Sequence, residues 1–430
     1  MSRRNASCTR RRFLHTAAAS LAAPTIISAT AIGGEGAVAA SERIAIGCIG
    51  LGGQGVANLQ ALLRQPDAQV VALCEVDERN LARAAHVVQT RTDAAAPLPT
   101  SKDFRDILAR PDVDAVMIST PDHWHAPMSI AAAKAGKDVI CEKPTVTVAE
   151  GRQLCDVIKR YGTVYQTATE DRSVPQYLRI AELVRNGRIG RVHSIHVGLP
   201  AGPSGPGNPT PQPVPPGLDW DLWLGPATWA PYCPDRVHFN FRWISDYSCG
   251  MLADWGTHLL DTAQWGNDTE HTGPVEVEGR GEYFASGLYD TAHHFDLTYR
   301  YADGVMLYVK STGPAIRFEG SEGWVGNTGW RAPVQASSPE ILNSVIEPDE
   351  LHLYTCPQGE HRNFLDCVKS RQAPYFPAEI AQRVNTICHI GNIAMQLRRK
   401  LHWDPAAERF VDDNQANRLL SRIYREPWRL

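Results

Sequence analysis

Glu142-Lys143-Pro144 directly follows the apolar run Asp138 to Cys141, and far along the chain Asp254 and His258 stand four residues apart in the stretch Gly250 to Asp261. A spacing of four places that carboxylate and imidazole on one face of a helix, with Met251, Trp255 and Leu259 as an apolar stripe beside them. Two such groups can hold a hydroxyl between them. A histidine at its ordinary pKa of about 6.5 can take the hydroxyl proton, an ammonium can steady the developing alkoxide, and an aspartate can orient the imidazole or grip a neighbouring hydroxyl. Hydride can then leave the same carbon, provided that an acceptor lies against it. Lys143, Asp254 and His258 are therefore the candidate catalytic residues.

An acceptor site is written in Gly50-Leu51-Gly52-Gly53-Gln54-Gly55, which follows the apolar run Ile44 to Ile49 and opens a helical stretch. In a turn of this kind the first glycine allows the tight bend, the second leaves room for a pyrophosphate, and the third lets helix and strand pack closely. The helix N-terminus adds free N–H groups and a positive dipole end. Gly50, Gly52, Gly53, Gln54 and Gly55 are thus read as a dinucleotide-phosphate turn. Glu75 lies 20 residues beyond Gly55 at the end of the second apolar run. A carboxylate there accepts from both ribose hydroxyls and repels a 2′-phosphate, which favours NAD. Arg79 nearby keeps NADP open.

These residues need a scaffold. From Arg43 onward, the apolar runs Ile44 to Ile49, Val70 to Cys74, Ala115 to Ser119, Val139 to Cys141 and Val164 to Gln166 alternate with helical stretches. That is the pattern of a doubly wound parallel sheet covered on both faces. Ligands bind at the carboxyl ends of such strands, so Lys143 should face the crevice. The grammar then changes: a helix is predicted around Gln176 to Asn186, a strand at His193 to Gly198, and a loop holding eight prolines between Pro200 and Pro216. Longer alternating strands at Val275 to Phe284, Ala292 to Tyr301 and Val305 to Ser311 predict a mostly antiparallel second sheet, followed by a helix near Glu379 to Arg398.

G-x-G-x-x-G, then E-K-P, then D-x-G-x-H, in this order, resembles the glucose-fructose oxidoreductase and inositol dehydrogenase (Gfo/Idh/MocA) family over residues 41–430. The resemblance implies an α/β chain: an N-terminal Rossmann NAD(P)-binding domain at residues 41–166, and a C-terminal α+β domain with a large mostly antiparallel sheet at residues 167–430. It also implies that Lys143, Asp254 and His258 are the family's catalytic lysine, aspartate and histidine. Thr120-Pro121-Asp122 resembles the family's T-P-N segment beside the nicotinamide, with Asp122 in place of asparagine. His125 and Glu142, beside these motifs, are read as further cofactor contacts and Trp124 as a substrate contact. Family members that act as NAD-dependent N-acetylgalactosaminidases differ over the Asp254 to His258 segment.

Five of the eleven tryptophans, Trp220, Trp223, Trp229, Trp243 and Trp255, fall within 36 residues. Flat apolar rings with a polar edge suit the C–H faces of sugars, although core packing uses tryptophan equally well. Trp243, with Asp246 and Tyr247 in the same segment, and Arg172, after Glu170, are read as substrate contacts. His123-Trp124-His125 lacks the cysteine or carboxylate spacing that completes a zinc site, so no metal is expected.

Composition sets the outer limits. With Lys+Arg 43 against Asp+Glu 47 the chain has no broad cationic field, which argues against nucleic acid as a partner. Ten cysteines without a CxxC pair suggest no disulfide framework or metal knuckle. Thr9-Arg10-Arg11-Arg12-Phe13-Leu14-His15, a weakly apolar stretch and Ala37-Val38-Ala39 read as a twin-arginine export signal, residues 1–39, ending in a cleavage site. Its loss takes five arginines and one glutamate and moves the formal charge from -4 to -8. The mature chain is then periplasmic or secreted, reached through the Tat machinery, with no membrane span. Free NAD is scarce there, so the cofactor should be tightly bound and recycled in place. Recycling can pair the oxidation of one sugar with the reduction of another. Alternatively, transient oxidation acidifies a sugar C–H, a glycosidic bond breaks by elimination, and hydride returns. The main expectation is an oxidoreductase acting on a sugar, polyol or glycoside hydroxyl, with the NAD-assisted glycosidase as the alternative. A non-catalytic sugar sensor fits less well, because it would not need Lys143, Asp254 and His258 together. An exposed edge of the second sheet can pair across a two-fold axis into a homo-oligomer.

Overall fold

The computed structural model describes residues 38–91 and 97–430. Met1–Arg43 and Ile44–Leu430 form separate units, and the second carries everything below. The segment read as an export signal lies, apart from Val38 and Ala39, outside the described residues.

Six strands build the first sheet: β1 Ile44–Ile49, β2 Ala68–Cys74, β3 Thr100–Ser101, β4 Ala115–Ile118, β5 Asp138–Glu142 and β6 Tyr165–Ala168. All pairings are parallel, in the order β3-β2-β1-β4-β5-β6. Helices cover both faces, which is why the strands are apolar throughout: Val139 and Cys141 enter one core and Ile140, between them, enters the other. The strand order reverses beside β1, so the chain opens a crevice beyond the carboxyl ends of β1 and β4. Strand β3 is two residues long and has no apolar run by which the sequence could announce it. Cys48 and Cys141 are buried small hydrophobes in these strands, and burial pushes both thiols up to about 12.

The second sheet has nine strands: β7 Val192–Gly198, β8 Glu276–Glu282, β9 His294–Arg300, β10 Met306–Lys310, β11 Ala315–Gly320, β12 Gly323–Asn327, β13 Gln335–Ala336, β14 Leu401–Asp404 and β15 Arg409–Phe410. Their order is β13-β12-β11-β7-β10-β9-β8-β14-β15, and β7 with β10 is the parallel pair in an otherwise antiparallel sheet. Alternate residues of β9, Phe295, Leu297 and Tyr299, point into a core shared with the helix Ala378–Leu397. Both edge strands are two residues long, so they offer little free backbone for edge-to-edge pairing.

The helix predicted from Gly250 to Asp261 is interrupted. It runs Gly250–Asp254, turns at Trp255, and resumes as Gly256–Gly266. Gly256 lies so close to the Ala378–Leu397 helix that a Cβ there would stand 2.9 Å from Cys388 Sγ. The proline-rich stretch up to Pro216 contains no helix or strand, as its shortage of N–H donors requires.

Candidate active site

A cavity of about 610 Å³ lies over the carboxyl ends of the first sheet. Its floor is the glycine turn. Gly50 has φ +79°, a left-handed conformation, and a Cβ on it would stand 2.7 Å from the Ser119 and Thr120 backbone. At Gly55 a Cβ would fall 2.0 Å from the Gly50 carbonyl oxygen, so the helix Gly53–Leu62 can start only on glycine there. Gly55 thus shapes the turn from beneath, whereas Gly50, Gly52, Gly53 and Gln54 line the cavity. A Cβ at Gly52 or Gly53 would meet no atom within 4 Å, leaving open space over the helix N-terminus where a diphosphate fits. Thr120 also lines this space, and its buried Oγ1 has no hydrogen-bond partner. A ligand bearing hydrogen-bonding groups would satisfy it, so the residues present fit a dinucleotide.

Glu75 is pinned to the turn. Its two carboxylate oxygens accept the Leu51 N–H at 2.6 Å and the Asp77 N–H at 3.0 Å. Burial raises its pKa, and those two amides partly offset the effect. Arg79, which keeps a 2′-phosphate open, is held by Asp77 at 3.0 Å. Pro121, Asp122, His125 and Glu142 line the cavity too. His125 is a brace, its ring nitrogens 2.8 Å from the Pro144 and Thr120 carbonyl oxygens. Glu142 accepts from Asn58 Nδ2 at 2.8 Å and so ties strand β5 to the helix of the glycine turn.

Lys143 reaches the cavity from the end of β5. Its Nζ donates to Asp254 Oδ1 and to the Asp254 carbonyl oxygen, each at 2.7 Å. Burial opposes the ammonium, but the Asp254 and Glu142 charges outweigh it and raise the Lys143 pKa. Asp254 also accepts from Arg242 Nε at 3.1 Å, and although burial opposes its charge, Lys143 and Arg242 together hold it well below the usual carboxylate range. Arg242 was not read from the sequence. It lines the cavity with its guanidinium over the Phe239 and Phe241 rings, 4.5 and 4.7 Å from their centroids. The aromatic residues flanking it were the available signal. Asp122, beside this cluster, is pushed up to about 7 by burial and by the Asp254 charge, while accepting from Ser248 Oγ.

His258 is not oriented by Asp254. Its Nδ1 lies 2.6 Å from Asp171 Oδ2, a partner that the sequence reading missed because it comes from 87 residues away. Burial disfavours the imidazolium, yet the Asp171 carboxylate outweighs it and raises the His258 pKa. Lys143 and Asp254 line the cavity, whereas His258 and Asp171 lie outside its lining. With Nδ1 engaged, Nε2 is the nitrogen left to act as base. Glu170, Asp171 and His258 bring one ligand atom each within 4.8 Å of one another, and Arg331 supplies the counter-charge on Glu170.

The dyad has a pH signature. A base must be neutral, so kcat/KM should rise as pH climbs through the raised His258 pKa. Asp171→Asn removes the raising charge and leaves burial, so the acidic limb should move to lower pH while the plateau falls by about 10²-fold or more. A pH–rate profile with an unmoved limb would exclude this role for Asp171.

Four expected substrate contacts are corrected, and Trp124 keeps a place at the cavity. It lines the cavity while packed between Phe104 and Trp428, with its Nε1 committed to the Leu222 and Trp223 carbonyl oxygens. Arg172 is buried, its guanidinium taken by Asp261, Glu270 and the Tyr375 carbonyl oxygen. Trp243 and Tyr247 are core residues, because the turn that carries them aims Arg242 at the cavity and buries its aromatic neighbours. Asp246 is exposed outside the cavity and accepts from Thr228.

Residues 44–169 match the family model described as "Oxidoreductase family, NAD-binding Rossmann fold", and residues 200–430 match "Oxidoreductase family, C-terminal alpha/beta domain". The chain is 27% identical over 280 residues to the uncharacterized oxidoreductase YrbE of Bacillus subtilis, covering 64% of this chain and 69% of that one. It is 34% identical over 160 residues to a glycosyl hydrolase family 109 protein of Saccharopolyspora erythraea, covering 36% of this chain and only 34% of the relative. The crystal structure of aldose-aldose oxidoreductase from Caulobacter crescentus superimposes with a TM-score of 0.62 at 18% identity, over 84% of this chain and 99% of that one, a likeness of fold. With both domain models matched in order along the chain, this protein belongs to the Gfo/Idh/MocA oxidoreductase family and uses NAD as its cofactor.

Proposed function

We propose that the protein oxidises a hydroxyl of a sugar, polyol or glycoside by hydride transfer, with its cofactor tightly held and recycled in place. The observation that carries this reading is Lys143, fixed by Asp254 in the wall of the glycine-turn cavity, with His258, held by Asp171, on the helix that follows Asp254. NAD, when bound, supplies the hydride acceptor. His258 Nε2 takes the hydroxyl proton as the carbinol C–H bond gives up hydride and the carbon becomes a carbonyl. Lys143, already ionised and held by two oxygens of Asp254, steadies the oxygen as its charge develops and needs no reorganisation to do so. Arg242 keeps Asp254 ionised and aimed at Lys143.

A carbohydrate substrate is supported by the names of relatives with this fold, the aldose-aldose oxidoreductase and a levoglucosan dehydrogenase solved with NADH and L-sorbose. The glycosyl hydrolase family 109 relatives favour a second reading, in which oxidation, elimination of a glycoside and hydride return share the same residues. Export through the Tat machinery, suggested by Thr9 to Ala39, gives the tight binding its reason.

One preparation tests these points. Protein recovered from the exported fraction should release one equivalent of a nicotinamide dinucleotide on denaturation, read by mass spectrometry. Incubation without added cofactor should then give reduced-cofactor absorbance with a free sugar. Phenol release from an aryl glycoside would favour the lyase cycle instead, and neither signal from any sugar would reject the proposal.

A further inference from the structure

The catalytic imidazole has a second wall, built from parts of the chain with no place in the chemistry above. Trp330, at the turn after β12, stands edge-on to His258, ring centroids 5.3 Å apart at 80°. Trp255 packs edge-on against Trp330 at 4.9 Å and lies 6.0 Å from the same imidazole. Both indoles are partly exposed, as are Trp324 and Trp428, and Trp229 is exposed, whereas Trp124, Trp220, Trp223, Trp243, Trp265 and Trp403 are buried.

The turn that carries Trp330 is held open by its neighbours. Arg331 has φ +54°, a left-handed conformation rare for a residue with a side chain. Its N–H donates to the buried Tyr177 hydroxyl at 3.1 Å and its carbonyl accepts from Gln176 Nε2 at 3.2 Å. Its guanidinium pairs with Glu170 and lies 5.4 Å from the Trp330 ring centroid. The indole is therefore set in place before any ligand arrives. Trp330 packs against the Tyr177 ring, centroids 5.5 Å apart, with the Arg331 guanidinium over its own ring and the His258 imidazole and Glu170 carboxylate close by. The indole, which suits the C–H face of a pyranose, therefore has polar groups beside it for the hydroxyl rim.

We propose that Trp330, with Trp255 beside it, is the platform on which a pyranose ring stacks, placing one hydroxyl at His258 Nε2 and others at Glu170 and Arg331. The assignment rests on the proposed carbohydrate oxidation and replaces Trp243 with Trp330 as the stacking residue.

Full-length protein with its own bound cofactor serves for the test, as wild type, Trp330→Ala and Trp330→Phe, with melting curves as a check on folding. The probes are methyl β-D-glucopyranoside, methyl β-D-galactopyranoside and D-glucose, with the open-chain polyol sorbitol as control. For whichever pyranose is oxidised, Trp330→Ala should raise KM by about 10-fold with kcat within a few-fold, and Trp330→Phe should recover most of the loss. The KM for sorbitol should not move. A pyranose KM within twofold of wild type in Trp330→Ala overturns the platform. Pyranose binding by saturation-transfer NMR reads the same question without turnover. Binding lost in Trp330→Ala supports the platform even if no probe is oxidised, which would count against the oxidation reading alone. Equal binding in both proteins, or binding in neither, overturns the platform.

Discussion

Lys143→Ala should lower hydride transfer by about 10²- to 10³-fold while the protein keeps its cofactor. The ammonium is the preorganised positive charge aimed at the oxygen that becomes negative, and its two bonds of 2.7 Å to Asp254 leave it no freedom to be replaced by a mobile counter-ion. The fold should tolerate the change, because Asp254 keeps Arg242 as a partner at 3.1 Å. Lys143→Arg should restore little, since a planar fork does not fit the site of a compact ammonium. Single-turnover reduction of the bound cofactor measures the chemical step directly. A rate unchanged in Lys143→Ala, with cofactor still bound, would remove Lys143 from the mechanism.

Arg172→Leu should act on stability rather than on substrate, with a loss of about 3–5 kcal/mol. Its guanidinium is buried and contacts Asp261 at 2.6 and 2.8 Å, Glu270 at 2.6 Å and the Tyr375 carbonyl oxygen at 2.9 Å. Its cationic carbon also lies 5.0 Å from the Trp265 ring centroid. Removing it leaves the wholly buried Asp261 without its counter-charge. Chemical denaturation should show the loss, and the folded fraction should retain its sugar KM. A raised KM at unchanged stability would return Arg172 to the substrate site.

How much of this was legible in the sequence depended on distance along the chain. Strand β1 was read to the residue and the phosphate turn in full, because Gly50 to Gly55 form a local motif in which each glycine has a separate steric reason. The partners of the catalytic groups were less accessible. Spacing suggested that Asp254 and His258 act as one unit, but the helix breaks at Trp255, and the two side chains turn to Lys143 and Asp171. Asp171 and Trp330 approach His258 from other elements, and nothing in their local sequence records that. Trp243, Tyr247 and Arg172 have residue types that serve a core as readily as a sugar site. Only packing decides between those uses.

Strand β7 also carries a consequence for how the molecule is made. Its two neighbours, β10 and β11, are encoded about a hundred residues after it, whereas the six parallel strands are all present by Ala168. At synthesis rates of about 5–20 residues per second, that leaves an interval of roughly 5–20 s. Throughout it the dinucleotide half has its full complement of strands and the other half lacks at least six of its nine. A nascent chain in a compartment rich in dinucleotide can therefore acquire its ligand early, as a template around which the later strands close.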